Sequence, residues 1–350
     1  MEIDKLNVGI AGFGCIGTVH AQIFDTMAAV DVIQVADPNR LYQERFAALT
    51  KKKSFHDHYS ALNGCDCVVI ALPTGLHESA VSHFAEAKVP MLIEKPLGLT
   101  YGEAERMMAV LKRERVPAMC GLTGLYHPEF VAMYRQLPAI GDLVSVTERL
   151  HEAHPLLRRT LSEARGALAV NGIYTLHGFH KIASQQAGDP VFSVDEVTLG
   201  HDAFSEHGED HAKGTLHLGG TPFTFDVSFH NRTECDNGWP IDYGIDIVGT
   251  RGKIVVTGHY KCETLLDGVP AEVNYAHPDG PLERQRPYPR TLIGITAELE
   301  AFLEFLGTGE EQHFTLHEAL AGQALVEACY AKAGSDNSLE GDTPTEPANR

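Results

Sequence analysis

The sequence predicts an α/β protein in which an N-terminal, doubly wound parallel sheet precedes an α+β domain with a large, mostly antiparallel open sheet. Three observations carry this. Up to about residue 122, short β-type apolar runs alternate with helix-period segments. After about residue 125, strand-like runs follow one another with only short polar turns between them. A glycine-rich turn, Gly12-Phe13-Gly14-Cys15-Ile16-Gly17, directly follows the first apolar run and opens the first helical segment.

The first strands are expected at 6–11, 32–36, 67–72, 91–94 and 118–122, with helical patterns at 16–28, 40–49, 77–87 and 101–114 between them. Strand and helix in strict alternation call for parallel pairing through helical crossovers. A further helical stretch at 163–186 ends in Gly188-Asp189-Pro190, a stop-and-turn signal. Strand-like runs then come at 194–199, 212–218, 221–229, 243–248 and 253–257, with turns such as Gly219-Gly220 and Thr250-Arg251-Gly252. Consecutive strands joined by short turns read as an antiparallel or mixed sheet. Helical patterns follow at 292–306 and 316–333, and the stretch 334–350, rich in Gly, Ser, Asp, Thr and Pro, reads as a disordered tail. The expected division is a dinucleotide-binding domain at 1–124, a substrate-binding and oligomerisation domain at 125–333, and the tail.

With 47 acidic against 28 basic residues among 350, the formal charge is −19. Such a field repels phosphate backbones and anionic lipid, which excludes nucleic acid and membrane surfaces as partners. No apolar run has the roughly 18 residues of a membrane span, and the opening Met-Glu-Ile-Asp-Lys-Leu lacks signal-peptide character, so a cytoplasmic protein is expected. The cysteines number seven and are scattered, mostly within apolar runs, as buried thiols are in a reducing compartment. Cys65-Asp66-Cys67 lacks zinc-site spacing, and His207-Gly208-Glu209-Asp210-His211 lacks the His-Glu-x-x-His order. The latter reads as solvated loop histidines, and no metal is expected. Neither a Gly-x-Ser-x-Gly elbow nor a Gly-Lys-Ser/Thr phosphate loop occurs.

The glycine-rich turn has the context that gives the motif meaning. Gly12 permits the tight turn, Gly14 lets backbone approach a pyrophosphate, and Gly17 lets helix and strand pack closely. The helix N-terminus offers N–H groups and partial positive charge to the phosphates. Asp37, at the end of the second strand, is placed to accept the ribose hydroxyls and to repel a 2′-phosphate. This favours NAD; Arg40 keeps NADP open, because a guanidinium there can take the extra phosphate.

Two further stretches extend the pattern: Pro73-Thr74-Gly75-Leu76-His77 after the 67–72 strand, and Glu94-Lys95-Pro96-Leu97-Gly98 after the 91–94 strand. Together with the glycine-rich turn they resemble the glucose–fructose oxidoreductase / inositol dehydrogenase (Gfo/Idh/MocA) family, most strongly up to residue 128. The resemblance implies an N-terminal Rossmann domain whose cofactor contacts come from Gly12, Phe13, Gly14, Cys15, Ile16, Asp37, Arg40, Pro73, Thr74, His77, Glu94 and Lys95. It makes Lys95 the active-site lysine, directed by a Lys–Pro bond that is often cis in the family, with His77 a cap or supporting group.

The family's second signature, Gly-x-Leu-x-Asp-x-Gly-x-His-x-x-Asp, is altered. Here Gly166, Leu168 and Gly172 match, while Val170, Tyr174 and His177 stand at the first aspartate, the histidine and the last aspartate. Tyr174, His177 and Lys181 are spaced for one helical face. Tyr174, its phenol acidified by Lys95 and His177, is one candidate for the acid/base; His177 itself is the other. The family's arginine before an aromatic is also missing: the chain reads Leu125-Tyr126-His127-Pro128, with Tyr126 or His127 able to line the pocket.

The resemblance implies an NAD(P)-dependent dehydrogenase that moves a hydride between nicotinamide and a hydroxyl or carbonyl carbon of a sugar, cyclitol or related small hydroxy compound. The altered signature leaves two alternatives, a dinucleotide- and ligand-binding regulator and an enzyme using tightly bound NAD transiently. By analogy with relatives, the second sheet forms a homodimer or homotetramer surface, near Asn231, Asp236, Trp239 and Asp242.

Overall fold

A computed structural model describes residues 5–152, 165–201, 208–229, 241–258, 261–269, 272–276, 288–310 and 315–334. Asn231, Asp236, Trp239, His207 and the tail beyond Gly334 lie outside the described residues.

Strands β1 (Leu6–Ala11), β2 (Val30–Ala36), β3 (Lys52–His56), β4 (Cys67–Ile70), β5 (Met91–Glu94) and β6 (Ala118–Gly121) form a parallel sheet ordered β3-β2-β1-β4-β5-β6. Residues of β4, β5 and β6 are buried throughout, as strands covered on both faces must be. The order reverses direction between β1 and β4, which opens a crevice at their carboxyl ends. Helices α1 (Cys15–Thr26), α2 (Gln43–Ala47), α3 (His77–Glu86) and α4 (Tyr101–Glu114) make the crossovers. The edge strand β3 escapes sequence reading because it follows and includes the Lys51-Lys52-Lys53 run. Lysines on an edge also discourage pairing with another chain.

The second sheet holds β7 (Leu143–Glu152), β8 (Ser193–Gly200), β9 (His211–Leu218), β10 (Thr221–Ser228), β11 (Ile241–Gly249), β12 (Gly252–Thr257), β13 (Lys261–Leu266) and β14 (Glu272–Ala276). Its order is β14-β13-β12-β11-β7-β10-β9-β8, antiparallel except between β7 and β10. The central strand β7 was not expected, and Glu148 explains why. Leu143, Val146, Glu148 and Leu150 are all buried, so a carboxyl group interrupts an otherwise apolar series. Glu148 accepts from Thr175 Oγ1 at 2.9 Å, and burial pushes its carboxyl up to about 8.

Helix α5 (Pro128–Gln136) follows the first sheet, and a π-helical turn at Leu168–Gly172 runs into α6 (Ile173–Ala187). Ile173, Leu176, Phe179 and Ile182 of α6 pack with Phe223, Phe225, Val227 and Ile245 of the second sheet. Helix α7 (Tyr288–Thr308) returns to the first sheet, where Ile295, Leu299, Phe302 and Phe305 join the cluster of Val8, Ile10, Phe24 and Val35. Helix α8 (Leu316–Lys332) starts at a capping box between Thr315 and Glu318. It touches both cores: Leu316 and Ala319 join the first sheet's cluster, Val326, Cys329 and Tyr330 the second's.

The Glu209-Asp210-His211 stretch is not a solvated loop. Glu209 and Asp210 are buried, and Glu209 accepts from the Tyr330 hydroxyl at 2.6 Å and the Leu168 N–H at 3.1 Å. His211 lies on β9 and hydrogen-bonds Asp226 at 3.0 Å. Burial demands a partner for each polar group, and for Glu209 the π-helical turn and α8 bring those partners from far along the chain.

Candidate functional site

The glycine-rich turn crosses the carboxyl end of β1. Gly12 has φ +91°, and a side chain there would meet the Ala71 backbone. Asp37 is buried and accepts the Phe13 N–H and the Asn39 N–H, both at 2.7 Å, which locks the first turn to the end of β2. No side chain caps α1 at Gly14, and a Cβ there would point into open space. An uncapped helix N-terminus, an open approach to it and a buried carboxylate at the next strand end fit a dinucleotide's pyrophosphate and ribose. Phe13 presents only its backbone, since its ring stacks edge-on against Phe46 and Phe55. Cys15 is exposed and Ile16 half-buried at the start of α1. Arg40 is exposed and ion-paired with Asp57 at 2.5 Å.

Pro73 and Thr74 start a short 3-10 turn after β4. His77, buried, bonds the Leu97 carbonyl at 3.1 Å and the Leu72 carbonyl at 2.9 Å, tying the loops after β4 and β5 together. Burial lowers its pKa, against the upward pull of the two carbonyls. Glu94 is buried at the end of β5, with His20 Nε2 of α1 at 2.7 Å and the Lys95 N–H at 3.2 Å. The Lys95–Pro96 bond is cis.

From there Lys95 crosses to the second half of the chain. Its Nζ donates to the Val170 carbonyl at 3.1 Å and lies 4.7 Å from the centre of the Tyr174 ring. Burial lowers the lysine's pKa, against the upward pull of Glu94 and Glu152. Tyr174 behaves opposite to the sequence expectation. Burial and then the charges of Glu94, Glu298 and Glu152 hold its phenol well above the ordinary value. The ammonium sits over the ring face, where it gains cation–π attraction, while carboxylates dominate the field. An amine inclined to lose its proton thus faces a phenol inclined to keep one.

His177 does not join this pair. It is buried, with Nδ1 2.5 Å from the Ile173 carbonyl and Nε2 2.8 Å from the Ala319 carbonyl of α8. Burial outweighs both carbonyls and drops its pKa to about 4. Lys181 faces α8 too, donating to Glu318 at 2.8 Å. The one-face spacing is real, but α8 occupies most of that face; Gly322 permits this approach, since a Cβ there would strike the His177 ring. The catalytic assignment of His177 is thereby corrected to a helix-docking role.

These two buried groups give the fold a pH dependence of opposite signs. His177 binds a proton in the unfolded chain near 6.5 but resists one in the fold until about 4, so the stability it contributes is complete above 6.5 and lost as pH falls toward 4. Glu148 holds its proton to about 8 in the fold but releases it near 4.5 unfolded, so its contribution is complete below 4.5 and lost as pH rises to 8. The histidine's contribution amounts to roughly 3 kcal/mol and the glutamate's to roughly 5 kcal/mol. Urea midpoints are expected to fall between about pH 6.5 and 8 in the native sequence and to stay flat there in Glu148→Gln.

Three residues of the site carry no local sequence motif. Glu298 of α7 is fully buried, accepts from Thr123 Oγ1 at 3.0 Å and is held well above the usual carboxylate range by burial and by Glu94. Glu152 ends β7 and accepts from Asn171 Nδ2 at 3.1 Å. His20 lies buried on α1. The available signal was a polar residue inside an apolar helical stripe: Glu298 between Ile295 and Phe302, His20 between Gly17 and Phe24. Tyr126 and His127 are both buried, His127 with Glu129 at 3.7 Å. Among the described residues no group of three metal-ligating side chains converges, and no helix is long and apolar enough to cross a membrane.

The fold and site define a dinucleotide-type Rossmann unit whose strand-end lysine meets a residue of the open-sheet half. Residues 6–122 match the family model described as "Oxidoreductase family, NAD-binding Rossmann fold". The chain is 31% identical over 156 residues to inositol 2-dehydrogenase of Rhizobium meliloti (strain 1021), covering 42% of this chain and 46% of that one. It is 33% identical over 150 residues to inositol 2-dehydrogenase 1 of Saccharopolyspora erythraea, covering 40% and 44%. The matches thus span slightly under half the length of these relatives. A solved oxidoreductase from Agrobacterium radiobacter, in complex with NAD+, L-tartaric acid and magnesium, has the same fold over 94% of this chain and 96% of that one, with a TM-score of 0.79 at 22% identity. Over residues 6–122 the chain is thus similar to the NAD-binding Rossmann domains of the Gfo/Idh/MocA oxidoreductases.

Proposed function

We propose that the chain is an NAD(P)-dependent oxidoreductase acting on a CH–OH carbon of a sugar, cyclitol or related polyol, with Lys95 as the proton acceptor. The observation that carries this reading is the Lys95 amine at the carboxyl end of β5, its pKa lowered by burial, poised between the Val170 carbonyl and the Tyr174 ring. Ligands of open α/β sheets bind at such strand ends. Support also comes from relatives named as inositol dehydrogenases.

When bound, the nicotinamide supplies the hydride acceptor. Neutral Lys95 takes the hydroxyl proton at Nζ, and the ammonium so formed is steadied by the Val170 carbonyl and the Tyr174 ring face. Tyr174, kept un-ionised, donates a hydrogen bond to the substrate oxygen instead of serving as base. Glu94 fixes the lysine's backbone and, through His20, ties it to the dinucleotide helix. In this reading the chain divides near residue 124 into cofactor and substrate parts. The second sheet's face bearing the Arg149–Asp242 and His151–Asp226–His211 contacts forms the homo-oligomer surface, with chain mass by light scattering as the check.

Nicotinamide absorbance with a panel of inositols and sugars tests the activity. Steady NADH release with one of them, rising with pH, is expected. Co-purifying NAD without net release points to transient cofactor use, and binding without chemistry points to a regulator.

A further inference from the structure

Beyond Asp37, at the carboxyl ends of β2 and β3, lies a cavity of about 400 Å³ lined among others by Arg40, Gln43, His56, Asp57, His58 and Ser60. The Asp37 N–H donates to the His56 carbonyl at 2.9 Å, so the cavity begins where the ribose-reading carboxylate ends. Around it stand one guanidinium, two imidazoles and one carboxylate, a composition suited to a dianion once that carboxylate is set aside. Arg40 is engaged: its Nη2 donates to Asp57 Oδ2 at 2.5 Å. Both side chains are well exposed, at 69% and 60%, so the pair is held loosely and can exchange partners.

We infer that Asp57 sets the choice between the two dinucleotides, by holding Arg40 away from a 2′-phosphate and by adding its own negative charge to the cavity. This rests on the dinucleotide reading above and extends it to a residue outside the glycine-rich turn. Asp37 alone disfavours the extra phosphate through repulsion at the ribose. Asp57 acts at the second position, on the guanidinium that offers a bidentate fork to phosphate oxygens. His58, whose Nδ1 accepts the Ser60 N–H at 3.2 Å, keeps its Nε2–H as a further donor, while His56 spends its Nε2–H on Gln34 at 3.1 Å.

Calorimetry of the full chain with adenosine 2′,5′-bisphosphate and with ADP separates the terms. In Asp57→Asn the affinity ratio of the bisphosphate over ADP is expected to rise about tenfold, and Asp57→Asn/Arg40→Ala is expected to lose that gain. An unchanged ratio, an equal gain for both nucleotides, or a gain that survives without Arg40 overturns the assignment. Ordinary ADP binding with an unmoved ratio removes only Asp57's role. A chain that binds neither nucleotide removes the cofactor reading and this one with it.

Discussion

Replacing Lys95 with methionine is expected to lower kcat by about 10²–10⁴-fold, the usual worth of one positioned acid/base group. Methionine keeps an apolar stem of similar length, so packing against the Tyr174 ring persists while the proton acceptor is gone. Dinucleotide affinity is expected to stay within about threefold, because the proposed pyrophosphate site is the turn after β1. Lys95→Arg is expected to fare no better, since a guanidinium does not deprotonate. The pH profile gives the sharper readout. In the native chain kcat/KM is expected to rise as Lys95 loses its proton, at a pH below the ordinary lysine value of 10.5 because burial disfavours the ammonium. That rise should vanish in the methionine variant. Turnover within tenfold of native, with the profile intact, would sink the proton-acceptor role.

The second large effect concerns Gly17. A Cβ there would be driven into the Gly12 carbonyl oxygen, on a turn whose φ of +91° at Gly12 leaves little room to adjust. Gly17→Ala is expected to destabilise the fold by about 2–4 kcal/mol and to weaken NAD binding by roughly 100-fold, since the turn must open to relieve the contact. Gly14→Ala supplies the contrast. Its Cβ meets nothing within 4 Å, so urea midpoints should barely move, while NAD affinity should still drop because the methyl occupies the phosphate approach. Undiminished NAD affinity in Gly14→Ala would show that Gly14's openness has no binding purpose.

Much of this was legible in the residues. The strands β1, β2, β4, β5 and β6 announce themselves as apolar runs, because both faces of a parallel sheet are covered. The turn after β1 and Asp37 follow from spacing and context, whereas Lys95 was pointed to only by the resemblance of its Glu-Lys-Pro stretch. What stayed hidden has a common cause: local patterning reports burial only where the buried residues are apolar. Glu148 masks β7, and the lysine run masks β3. Glu298 reaches the site from helix α7, 175 residues away from its partner Thr123. His177 misled for the converse reason. Helical spacing shows which residues share a face, and only the position of α8 shows that this face is docked against protein, not directed into the crevice.

The return of α7 to the first sheet has a consequence for how the chain is made. Ile295, Leu299 and Phe302 complete a core whose earliest members are Val8 and Ile10. A nascent chain that has released only its opening 130 or so residues therefore carries an oily gap on one flank of the sheet. That gap must wait until α7 has emerged before it is sealed, so the two halves mature together, and the waiting interval is when chaperones or aggregation compete for the unsealed flank.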